Sequence, residues 1–227
     1  MSSRTPSVRT MSGRFITLEG IEGAGKSTVV AAIAAAIKSR GHEVVTTREP
    51  GGTPLAERLR ETVLTRGSER VSPETETLLM FASRAVHLDN LVRPSLARGA
   101  WVVCDRFTDA TRAYQGGGRG VDRAFIESMA QAIHRDTEPD LTLLLDLPVE
   151  VGLERARRRR LAAGEAVADR FESESLEFFA RVRARYLEIA AAAPHRVRVL
   201  DATQSPSEVA ASAVAEIGVL DERHHAE

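Results

Sequence analysis

The sequence is short of cysteine. Cys104 is the only one among 227 residues, so the chain cannot close a disulfide on itself. That fits a reducing, intracellular home. Long apolar runs are missing too, and none approaches a membrane span. Met1 to Ser12 holds Ser, Thr and Arg without the apolar centre of a secretory signal. That stretch reads as a disordered extension, with a transit peptide as the alternative. An excess of either sign of charge is lacking, since the formal net charge is −1. A balance this close to zero gives no general argument for nucleic acid. The guanine-reading pattern N-K-x-D does not occur, which argues against a GTPase switch. No internal repeat or second domain is visible. We therefore expect one soluble, cytoplasmic domain over residues 13–220 and a short tail over 221–227. With 43% hydrophobic and 28% charged residues, the composition is that of a globular protein.

What is present is a phosphate-binding signature. Gly20-Ile21-Glu22-Gly23-Ala24-Gly25-Lys26-Ser27 spells G-x-x-x-x-G-K-S, and Thr28 follows. The run Phe15-Ile16-Thr17-Leu18 before it reads as a buried strand. Behind it, Val30, Ile33 and Ile37 fall on one face of a helix. Strand, glycine loop and helix are the context the motif needs. Glycines let successive N–H groups point inward and form an anion nest. The helix start adds its positive end. Lys26 is expected on the β- and γ-phosphates of ATP, and Ser27 on Mg²⁺.

The rest alternates in the same way. Apolar runs at 44–47, 101–104, 141–145 and 197–200 read as four more strands, with helices between them. The spacing predicts helices from Pro54, bearing Leu55, Leu59 and Val63, and from Pro73, bearing Leu78, Phe81, Ala85, Leu88, Val92 and Leu96. Gly41 should close the first helix, and Ser205-Pro206-Ser207-Glu208 should open the last as a capping box. The fold class is α/β: a P-loop NTPase-type, five-stranded, mostly parallel sheet with helices on both faces and a lid. Ligands in such sheets bind beyond the carboxyl ends of the strands.

Several constellations lie at that edge. Asp105 ends a strand and is placed to organise Mg²⁺, while Arg106 offers a planar fork to a phosphate. Asp146 also ends a strand, but Pro148 follows closely, so a helix cap is the expected role. Phe81 and Arg84 share a helix face and could stack on a base and bond its edge, though periodicity alone puts Phe81 in the core. Thr111 and Gln115 share a face in the same way. Five arginines stand in the six positions from Arg155 to Arg160. They are a solvated face, a nucleic-acid patch, or cations delivered to a phosphoryl group by a closing lid. No convincing Ser–His or Cys–His pair is present.

At this point the chain resembles thymidylate kinase. The matching stretches are Leu18 to Thr28, Thr47-Arg48-Glu49-Pro50-Gly51-Gly52, Leu79-Met80-Phe81-Ala82-Ser83-Arg84, Asp105-Arg106-Phe107, Ala113-Tyr114-Gln115-Gly116-Gly117-Gly118-Arg119-Gly120 and Asp201-Ala202. The resemblance implies transfer of the γ-phosphoryl of ATP to dTMP by a homodimer. It implies that Glu22 holds the sugar 3′-hydroxyl, Phe81 stacks on thymine and Arg84 bonds its edge. Arg48 and Pro50 would also meet the acceptor, with Pro50 flanking the base. Thr111 and Gln115 would contact base and sugar, and Arg106 would clamp the acceptor phosphate. Asp201 would lie on the adenine side. The P-loop carries no arginine, so lid arginines within about 155–171 would complete the γ-phosphate site; Arg157 and Arg159 are the expected pair. Where the family commonly has Tyr or His, this chain has Phe107.

Overall fold

The computed structural model describes residues 13–65, 69–134, 137–164, 170–171 and 173–226. Residues 1–12, the expected extension, lie outside them, as do residues 165–169 of the expected lid. Five strands form one sheet: β1 (Phe15–Glu19), β2 (Val44–Arg48), β3 (Trp101–Asp105), β4 (Leu141–Asp146) and β5 (Val197–Asp201). Their order is β2-β3-β1-β4-β5, and every pairing is parallel. β1, β3 and β4 are buried almost throughout, which is why they read as unbroken apolar runs. The edge strands β2 and β5 are partly exposed and carry Thr and Arg.

The helices are α1 (Lys26–Ser39), α2 (Pro54–Leu64), α3 (Pro73–His87), α4 (Arg93–Ala97), α5 (Thr108–Thr111), α6 (Arg123–His134), α7 (Val149–Ala162), α8 (Leu176–Ala192) and α9 (Pro206–Ala226). α1 buries Val29, Ile33 and Ile37, one turn apart, and Val30 packs at their margin. Burying an isoleucine fully is worth about 1.5–3 kcal/mol, and Ile33 and Ile37 are both fully buried. Gly41 ends the helix at φ 89°. Its N–H bonds the Lys38 carbonyl at 3.0 Å, and that of His42 bonds Ile37 at 3.3 Å, a Schellman pair that leaves the chain heading into β2. The Ser205 box forms as expected, with Glu208 accepting from the Ser205 N–H at 2.9 Å. α9 then runs through the residues set apart as a tail.

Three helix readings change. On α2, Leu55 is exposed while Ala56 and Val63 are buried. The helix read from Pro73 to Leu96 is interrupted by a π-helical turn at Leu88–Val92 before α4. On α3, Leu78 is exposed, whereas Glu76, Thr77, Ser83, Arg84 and His87 are buried. α3 therefore turns a polar stripe inward, against the usual rule.

Candidate active site

The P-loop leaves β1 at the centre of the sheet. Lys26 is the first residue of α1, and Ser27 and Thr28 are exposed beside it on the first turn. The Lys26 ammonium donates to the carbonyls of Gly20 and Ile21, both at 3.0 Å. Burial, with Arg106 nearby, lowers its pKa from 10.5 to about 8. The loop also touches α7 backbone to backbone. A Cβ on Gly23 would stand 1.9 Å from the Gly152 carbonyl oxygen, and one on Gly152 would stand 2.6 Å from that of Glu22. Neither position admits a side chain.

Next to the loop, β3 ends in Asp105-Arg106. Arg106 sits at φ 73°, a conformation that costs a non-glycine residue roughly 1–3 kcal/mol. The turn is held from both sides: the Arg106 N–H bonds Leu18 O at 2.9 Å, and the Phe107 N–H bonds Glu19 Oε1 at 2.8 Å. Burial, with Asp109 nearby, raises Glu19 to about 8, and the Tyr186 hydroxyl donates to it at 2.7 Å. The Arg106 guanidinium lies 4.7 Å from the Tyr114 ring centre and donates to Glu22 Oε1 at 3.0 Å. Tyr114 donates to the other Glu22 oxygen at 2.7 Å. Burial works against the Arg106 charge, but Tyr114, Glu22, Tyr186 and Asp105 raise its pKa well above the ordinary value.

A second polar set comes from β2, α3 and α5. Glu49 is buried and accepts from Arg84 Nε at 2.7 Å, and its other oxygen lies 2.8 Å from His87 Nδ1. Burial pushes the Glu49 carboxyl up, yet Arg84 and His87 hold it below the ordinary value. Arg84 Nη2 donates to the Phe107 carbonyl and to Thr111 Oγ1, both at 3.1 Å. Its Nη1 is buried with no hydrogen-bond partner.

These sets share one cleft of about 220 Å³. Glu22, Lys26, Pro50, Arg84, Asp105, Arg106, Thr111, Gln115 and Arg159 all line it. The family's sequence model, described as Thymidylate kinase, matches residues 18–213. The chain belongs to the thymidylate kinase family. A Pseudomonas fluorescens (strain SBW25) thymidylate kinase is 55% identical over 214 residues, covering 94% of this chain and 99% of the relative. One from Methylobacillus flagellatus is 55% identical over 191 residues, covering 84% and 90%. The crystal structure of an Ehrlichia chaffeensis thymidylate kinase shares the fold with a TM-score of 0.73 at 30% identity, covering 91% of this chain and 99% of that one.

Against the expectations from sequence, three shift here. Phe81 does not line the cleft. It packs with Val121, Ile126 and Ala130, and Met80 faces the cleft in its place. One residue is a turn of about 100° on a helix, enough to exchange wall for core. Arg48 points away to Glu57 on α2, at 3.0 Å. Asp146 caps nothing; it receives both arms of Arg183, at 2.7 and 2.8 Å. Pro148 stands at the α7 N-cap instead.

The arginine run divides by helix phase. Arg159 lines the cleft. Arg157, two residues away and so about 200° round the helix, is 58% exposed and pairs with Glu154, as Arg158 does. Arg155 shares the Arg159 face and donates to the Ala202 carbonyl at 2.7 Å. Asp201 is exposed and accepts from the Thr203 N–H and hydroxyl at 2.9 and 2.6 Å. Sequence reading missed Glu49, Met80, Tyr114 and Phe171 as cleft residues. Glu49 and Tyr114 lay inside the quoted motifs without a role; nothing in sequence pattern marked Phe171.

Proposed function

We propose that this chain is a nucleoside monophosphate kinase that transfers the γ-phosphoryl of ATP to dTMP, giving dTDP and ADP on the route to dTTP. The observation that carries this reading is the shared cleft. It gathers the cations Lys26, Arg106 and Arg159 with the polar set Arg84, Thr111 and Gln115.

Each residue then has a task. The P-loop backbone from Gly20 to Thr28 cradles the ATP phosphates at the start of α1, with Lys26 on the β- and γ-groups. Arg106 holds the acceptor phosphate and Glu22 the sugar hydroxyl. Arg84 meets the base edge, with Met80 and Pro50 as its apolar walls. Arg159 meets the transferring group, and Arg155 supports the adenine-side loop through Ala202. The acceptor oxygen needs no general base, because a phosphate monoester's second pKa is about 6. The task is to hold two polyanions in line and offset their repulsion, which these cations do.

The donor set suits Mg²⁺. Asp105 lines the cleft, and its Oδ1 is buried without a hydrogen-bond partner. Ser27 is exposed on the first turn of α1. Among the described residues no cluster of three His, Cys, Asp or Glu side chains could hold a metal; Mg²⁺ here would be held through substrate phosphates and one or two protein oxygens. Bound there, Mg²⁺ would neutralise charge on the ATP phosphates.

We also take the chain to be a cytoplasmic homodimer that works without nucleic acid or membrane. Among the described residues no helix is long and apolar enough to cross a membrane. Light scattering that returned a single chain's mass at working concentration would remove the dimer. The activity is tested by coupled ADP release with ATP and Mg²⁺. ADP should appear with dTMP and not with dAMP, dGMP or buffer alone. Release without an acceptor, or equal use of every monophosphate, would overturn the assignment.

A further inference from the structure

Gln115 lines the cleft, yet its amide is committed on one side. Its Nε2 lies 2.8 Å from Oε1 of Glu76 on α3. Glu76 is fully buried and faces two further cations, Arg119 Nε at 3.5 Å and Arg170 Nη2 at 2.8 Å. A carboxylate accepts hydrogen bonds and donates none, so only the NH₂ end of the Gln115 amide can face it. The amide oxygen is thereby turned the other way.

We propose that Glu76 is a positioning residue that fixes the Gln115 amide as an acceptor toward the base. This rests on reading the cleft as the dTMP site. Arg84 lines the same cleft, and its Nη1 is a buried donor without a partner. Acceptor and donor together complement an imide edge, where N3–H donates and the C4 carbonyl accepts. Cytosine reverses both groups, offering a bare N3 and an amino group. Glu76 thus enforces thymine over cytosine from behind the residue that touches the base. Unpaired buried polar groups are what give such sites their discrimination.

The test is kcat/KM for dTMP and for dCMP, measured on the same preparation of each variant. A ratio taken this way is independent of the fraction folded. The variants are Glu76→Gln, Gln115→Leu and the double substitution. A neutral amide at 76 can donate or accept, so Gln115 is freed to turn. Glu76→Gln should lower the dTMP:dCMP ratio at least about tenfold, mainly through KM. Gln115→Leu should lower it as far or further, and adding Glu76→Gln to it should change the ratio by less than about twofold. An unchanged ratio in Glu76→Gln would overturn the proposal. So would an unchanged ratio in Gln115→Leu, which decides the matter even if Glu76→Gln does not fold. Additive losses in the double variant would reduce Glu76 to a packing role and also overturn it. A wild-type enzyme indifferent between dTMP and dCMP would instead overturn the acceptor reading itself.

Discussion

Arg106 donates to Glu22 across 3.0 Å, and Tyr114 donates to the same carboxylate from its other side. One contact thus joins the residue assigned to the acceptor phosphate and the residue assigned to its sugar. On the proposed reading, a phosphate would take over the guanidinium fork, and a sugar hydroxyl would join Tyr114 on the carboxylate. A hydrogen bond to a charged group is worth about 1.5–3 kcal/mol, so Arg106→Ala should weaken dTMP binding roughly 10- to 150-fold. ATP binding should change far less, because the P-loop and Lys26 hold that nucleotide. Titration calorimetry with each nucleotide separates the two; equal losses would place Arg106 elsewhere.

Glu22 should read the 3′ position. A dTMP analogue with hydrogen in place of the 3′-hydroxyl leaves the carboxylate one donor short, with Tyr114 still on it, at a cost of about 1–3 kcal/mol. It should be a poor substrate for the wild-type enzyme, and Glu22→Ala should narrow the gap. A gap of the same size in both would remove the contact.

The lowered pKa of Lys26 predicts a pH dependence. Its value of about 8 belongs to the protein alone. A polyanion favours the charged ammonium, so it raises that pKa. Below pH 8 the lysine is charged with or without ATP, and affinity is flat. Above pH 8 binding must take up a proton, so the ATP dissociation constant should rise with pH, toward about tenfold per unit. Calorimetry in buffers of different ionisation enthalpy should record that uptake near pH 9 and lose it in Lys26→Ala. The same variant should lose turnover by at least about 100-fold.

The lid arginines should sort by face. Arg159→Ala should cut the single-turnover rate strongly with little change in dTMP affinity, since a contact made in the transition state appears in kcat. An arginine finger is worth roughly 10³–10⁵ in related reactions, so even a partial share is measurable. Arg157→Ala and Arg158→Ala should each change it by less than about threefold, as both stand exposed and paired with Glu154, away from the cleft. Rates that fell equally for all three would make the run a diffuse charge.

Met80 and Phe81 give the last contrast. Phe81→Ala should destabilise the fold by about 3–5 kcal/mol, lowering Tm by roughly 10 °C. Met80→Ala should also lower Tm, since Met80 is part of the main core, but unlike Phe81→Ala it should raise KM for dTMP. Thermal melts and steady-state kinetics on the pair test this, and the reverse pattern would restore Phe81 to the base.

The sheet was legible because its inner strands are buried on both faces and leave unbroken apolar runs. The P-loop was legible because glycines, lysine and serine stand in fixed order. What was hidden follows from phase and direction. Phe81 attracted the stacking role as the aromatic residue of its motif, yet helix phase gives the cleft to Met80. Arg157 and Arg159, the expected pair, stand about 200° apart on the helix, so only one of them can face the cleft. On α3 the apolar stripe holds at Phe81, which is buried, and fails at Leu78, which is exposed, while Glu76, Arg84 and His87 turn inward beside it. Nothing in the sequence marks Glu49 and Glu76 as buried; the folded chain sets Arg84, His87 and Gln115 against them.

The meeting of Gly23 and Gly152 has a mechanical consequence. α7 rests on the phosphate loop with bare backbone against bare backbone, so the spacing between them is fixed by atomic radii alone. Arg159 stands seven residues beyond that contact, roughly 10 Å along the axis at the rise of an α-helix. The arm that would reach the transferring group is therefore gauged from the same few atoms that would hold the phosphates. Any side chain at either glycine would reset that gauge before it touched a substrate.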